Sequence, residues 1–140
     1  MTSPRLSLAT FFAAYAVALV VMGALDALWL GWLAIDFYRH ELGALMTDSV
    51  RVVPAAMYYV GFPMAIVYLA LNPRPATLRE AALRGAVLGL AGFGVYDLTD
   101  LATLRGYSAL MTMVDMAWGT FASMLGGSAA YAFVISRRLR

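Results

Sequence analysis

The chain has no cysteine and no lysine, and only 13% of its 140 residues are charged. Without cysteine there is no disulfide framework, no thiolate metal site and no cysteine nucleophile. All ten basic residues are arginine, and a net charge of +2 is far from the dense basic face that nucleic-acid binding needs. One histidine, in a connecting segment, leaves no Ser-His arrangement for nucleophilic catalysis. The sequence therefore predicts no nucleic-acid partner, no metal site and no cofactor.

Apolar residues fill the space that charge leaves. They make up 63% of the chain, and the mean hydropathy is +0.78. A soluble domain this small has too little interior to hide them, so lipid must cover the rest. Spanning the hydrocarbon takes about 20 mostly apolar helical residues. Residues 8–35, 52–71, 85–104 and 110–135 qualify, and together they predict one domain over residues 1–140. Barrel strands would need alternating apolar and polar residues, which these continuous runs lack. The expectation is an all-α integral membrane bundle of four transmembrane helices.

The connections agree with this division. Asn72-Pro73-Arg74-Pro75 cannot continue a helix, because two prolines remove donors and restrict their predecessors. Thr77-Leu78-Arg79-Glu80 reads as a capping box. Arg105-Gly106-Tyr107-Ser108 is a tight turn, with Gly106 suited to a left-handed position and Ser108 to an N-cap. Asp48 or Ser49 is the expected cap of the second span. The segment 36–48 is too short and charged to span, and is expected to lie partly helical at the surface. Around the spans, seven arginines fall on the side of the two termini and the loop at 72–84, and three on the other. The positive-inside bias then puts both termini in the cytoplasm. The first span is too long for a signal peptide and has no clean cleavage site after it, so it reads as a retained helix.

Four aspartates interrupt the apolar runs: Asp26, Asp97, Asp100 and Asp115. At 1.5 Å per residue Asp97 lies about 18 Å beyond Gly85. Reflection through the turn near Gly106 puts Asp115 level with it on the next helix. Asp26 lies two to three turns below the outer end of its own span, so all four fall in the outer half. Each costs about 2.5–3.5 kcal/mol at mid-helix, and two carboxylates in one layer can share a proton. Trp29 and Trp118 each follow an aspartate by three residues and share its face. Tyr96 and Thr99 flank Asp97, Tyr58 and Tyr59 lie at the same depth, and Arg39, His40 and Arg105 mark the rim. These residues predict an outward-facing polar site of Asp26, Trp29, Tyr96, Asp97, Asp100, Arg105, Asp115 and Trp118.

Plainer roles stand beside this one. Trp29, Trp32 and Tyr38 also read as an interfacial aromatic belt. Asp100 pairs naturally with Arg105, and His40 reads as a solvated loop residue. Gly85-x3-Gly89 and Gly119-x3-Ser123-x3-Gly127 are small-residue stripes for close packing, within the chain or between protomers. Gly23-x2-Asp26-x2-Trp29 faintly echoes Gly94-x2-Asp97-x2-Asp100, as in a parallel repeat.

Leu25-Asp26-Ala27-Leu28-Trp29-Leu30-Gly31, Phe37-Tyr38-Arg39, the run Tyr96 to Arg105, and Asp115-Met116-Ala117-Trp118-Gly119-Thr120 resemble the DUF2177 family of predicted bacterial membrane proteins, with Asp100 where an asparagine is expected. That resemblance implies a multi-pass protein of the bacterial cytoplasmic membrane and supplies no activity. Three functions remain open. One is a binder or transporter of a small molecule or ion, as a homodimer, since four helices are few for a pathway. Another is an accessory or scaffold subunit of a larger membrane complex. The third and least favoured is a membrane enzyme acting on lipid or isoprenoid, for which no catalytic motif stands out.

Overall fold

A computed structural model describes residues 5–138, and among them every regular element is helical. Helix α1 runs Leu8–Leu28 and continues through a π-helical turn, Trp29–Leu33. Helix α2 is short, Ile35–Leu42, and ends in a 3-10 turn, Gly43–Leu45. Helices α3 (Val52–Leu71), α4 (Leu78–Thr103) and α5 (Ala109–Arg138) complete the chain. Four stretches, Leu8–Leu33, α3, α4 and Ala109–Arg137, are long and apolar enough to cross a bilayer.

The caps follow local chemistry. Ser7 accepts from the Thr10 amide at the start of α1, and Thr77 accepts from the Glu80 amide at the start of α4. Glu80 reaches back one residue further than a standard capping box, to the Ala76 amide at 2.7 Å. Ser108 accepts from the Met111 amide, and Gly106 takes φ +75 in the tight turn, as the spacing predicts. Neither Asp48 nor Ser49 caps α3. Its N-cap position falls at Arg51, two residues past Ser49, and carries no side-chain cap.

One repeating stripe per helix builds the interior. On α1 it is Ala14, Ala18, Met22 and Asp26; on α4 it is Ala81, Gly85, Gly89, Phe93 and Asp97. Both use a four-residue step, so each stays on one face. The small members let the backbones come close. A Cβ on Gly85 would sit 2.6 Å from the Ser123 carbonyl oxygen, and one on Gly89 2.6 Å from the Ser123 hydroxyl. Thus the stripes read from the sequence are used within the chain, between α4 and α5. Towards the termini the core is Ala14, Ala18, Val67, Ala70, Leu71, Ala130 and Val134. Large apolar side chains such as Val20, Val60, Leu69, Val87 and Met113 point outward, as lipid-facing residues must. The same stripes that pack the bundle carry Asp26 and Asp97 inward at their far ends.

Candidate functional site

The far end of the bundle, where α2 and the α4–α5 turn lie, holds a buried polar network. Asp26 is 4% exposed and Asp97 is 0% exposed. Asp26 Oδ1 accepts from Trp118 Nε1 at 2.8 Å, and the Trp118 ring stacks on Trp29 with centroids 4.5 Å apart. Trp29 Nε1 donates to the Tyr38 hydroxyl at 3.2 Å, which donates to Asp115 Oδ1 at 2.6 Å. The other Asp115 oxygen accepts from the Tyr96 hydroxyl. Asp97 Oδ1 accepts from Tyr107 at 3.2 Å, while its Oδ2 is buried without a partner. No ion pair among the described residues engages Asp26, Asp97 or Asp115.

Two local features make this arrangement. The π turn at Trp29–Leu33 inserts an extra residue into the helical repeat, a device common at functional sites. Ala34 then breaks the helix at φ −118, and α2 folds back over the bundle end. As a result Tyr38, only 6% exposed, lies over Asp115 with Ala34, Met111, Phe37 and Tyr107 around it. Glu41 fastens the other side of α2 by accepting from the Ser108 hydroxyl. Burial first, and then the bond to Asp115, pushes the Tyr38 phenol up from its ordinary value; Tyr107 is pushed up by burial and by Asp97. Both remain neutral donors to the carboxylates.

Beneath this roof is a cavity of about 320 Å³. Asp26 and Asp115 supply its polar wall; Tyr58, Tyr59, Phe93, Tyr96 and Trp118 supply aromatic ones. Gly119 makes room for the Phe93 ring, whose atoms occupy the space a Cβ there would need. Leu30 and Ala55 complete the lining.

Six of the eight residues singled out in the sequence come together here: Asp26, Trp29, Tyr96, Asp97, Asp115 and Trp118. The other two do not join. Asp100 is half-buried and its side chain makes no hydrogen bond or ion pair among the described residues, and Arg105 is exposed on the turn. The buried residues of α4 end at Asp97, and Asp100, one turn nearer the helix end, is no longer among them. The expected Asp100–Arg105 ion pair is therefore absent, while His40 is solvent-exposed as expected. Trp32 is exposed like a belt residue, whereas Trp29 and Tyr38 belong to the network instead. Tyr38 and Tyr107 are the two donors that the sequence did not single out as site residues.

These features define a polytopic membrane protein whose helices enclose a carboxylate and aromatic cavity near one end of the bundle. The chain belongs to the DUF2177 family of predicted membrane proteins, whose model matches residues 11–132. No curated protein and no solved structure matches it significantly.

Proposed function

We propose that the chain binds a small cationic ligand in the cavity between Asp26 and Asp115, as a multi-pass protein of the bacterial cytoplasmic membrane with both termini inside. The observation that carries this reading is the pairing of two carboxylates with five aromatic rings around a space of about 320 Å³, with no basic side chain in the lining. Such a volume is at the small end of ligand pockets. An ionised carboxylate inside a bilayer needs a partner, and aromatic faces attract cations by about 2 kcal/mol when desolvated. A cation satisfies both walls at once. The small-residue stripes, one of the two features behind the scaffold reading, are used between α4 and α5.

Tryptophan fluorescence tests this directly, because Trp118 lines the cavity and stacks on Trp29. In a Trp32→Phe background, tetramethylammonium should change the emission saturably, and sodium at equal ionic strength should not. Asp26→Asn and Asp115→Asn should each weaken the response about tenfold or more, equivalent to roughly 1.4 kcal/mol. A response that never saturates, or that both variants retain in full, would overturn the reading.

A further inference from the structure

Access to the cavity runs sideways. At the α2 end Tyr38, Ala34 and Met111, each 6% exposed or less, pack with Trp29 and Tyr107, and Tyr38 bonds the Asp115 carboxylate that lines the cavity. The lining residues that are exposed lie on the bundle's flank: Leu30 at 37% and Tyr96 at 40%, with half-buried Ala55 and Tyr59 between them. That flank faces the hydrocarbon. Asp26, 4% exposed, spends one oxygen on Trp118 and lines the cavity with no other side-chain partner among the described residues.

A second hollow, also about 320 Å³, adjoins the first along the seam between α3 and α4. Phe62, Ala65, Leu69, Leu88, Ala91 and Val95 line it, and none offers a polar side-chain atom. The two hollows meet at an aromatic septum: Phe62, in the groove, lies 5.8 Å from Phe93, in the cavity, and 5.5 Å from Tyr58. From Val95 to Leu88 the groove follows α4 for about 10 Å. Lipid covers any apolar seam in a bilayer, and apolar contact alone gives no preference there. This seam differs from others because the aromatic septum at its end borders the cavity that Asp26 and Asp115 line.

We infer that the ligand is an amphiphile, an amine-bearing lipid or a molecule built like one, which enters from the bilayer with its cationic head in the Asp26–Asp115 cavity and its apolar tail in the α3–α4 groove. This inference rests on the cation-binding reading above and adds the tail and the lateral path.

The test uses the full chain in phosphatidylcholine nanodiscs, in the Trp32→Phe background, with two probes. Tetramethylammonium carries the head alone; decyltrimethylammonium carries head and tail, its concentration counted per nanodisc lipid. Both should saturate the Trp29–Trp118 signal in the unblocked chain. Ala65→Phe, which fills the groove, should weaken the tailed probe about tenfold and leave the head-only probe unchanged. Ala91→Phe, at the exposed lip of the same groove, repeats the test should Ala65→Phe fail to fold. If the plugs leave the tailed probe's affinity untouched, or only the head-only probe binds, the tail and lateral path are overturned and the cation reading stands. If neither probe binds the unblocked chain, both are overturned together.

Discussion

Tyr38 joins two side chains through a single hydroxyl, which accepts a hydrogen bond from Trp29 and donates one to Asp115. Tyr38→Phe removes both bonds and keeps the ring. The indole N–H and a carboxylate oxygen are then left in an enclosed space, at about 1–3 kcal/mol for each group stranded. We expect the variant to unfold earlier on heating in detergent, and the stacked Trp29–Trp118 pair to change its emission. Unfolding at the parent temperature would mean that the roof is held by packing alone. The aspartates were legible in the sequence because a carboxylate in an apolar run is costly and conspicuous. Tyr38 and Tyr107 were not, since a phenol near a span end is ordinary belt composition. Only the fold-back of α2 and the turn before α5 aim them inward.

Close packing of α4 on α5 depends on what their facing stripes leave out. A side chain at Gly89 would meet the Gly119 carbonyl oxygen, a backbone atom that cannot swing aside, as well as the Ser123 side chain. Gly89→Val should therefore cost at least the 1–3 kcal/mol typical of overpacking, read as a large loss of folded, monodisperse protein. Gly23, on α1, has nothing within 4 Å of its would-be Cβ. Gly23→Ala should be tolerated or stabilising by about 0.5–1 kcal/mol. Equal tolerance at both positions would show that α4 and α5 do not meet as described. The short α2 has a different fastening. Glu41 accepts from Ser108 and lies beside His40, and these contacts hold its carboxyl below its ordinary value of 4.5. A lowered folded-state value contributes stability above that pH and loses it as pH falls through the folded value. Melting curves from pH 6 to pH 3 should therefore fall more steeply for the parent than for Glu41→Gln, and parallel curves would remove this fastening. The spans were legible as long apolar runs that only aspartates interrupt, and α4 was legible as far as its cap at Thr77. The π turn was not, because an inserted residue leaves no mark in composition; what places it is the packing of Trp29 on Trp118.

At the scale of the whole molecule, the buried carboxylates all lie towards one end of the bundle, so its direction in the membrane decides what they face. The arginine bias favours the termini and the α3–α4 loop inside, which puts the α2 roof outside. The absence of cysteine makes this easy to test, since any thiol introduced will be the only one. Ala44, in the turn after α2, and Ala76, in the loop before α4, are both exposed and lie at opposite ends of the bundle. In intact cells a membrane-impermeant maleimide should label Ala44→Cys at once and Ala76→Cys only after permeabilisation. The reverse pattern would turn the cavity towards the cytoplasm. The chemistry of the site would be unchanged by that reversal, because the roof and the lateral mouth turn with it. Only the leaflet from which an amphiphile enters would differ: the outer leaflet with the termini inside, the inner leaflet with them outside. Orientation and ligand class are therefore separate questions, and the two labelling results decide the first without assuming an answer to the second.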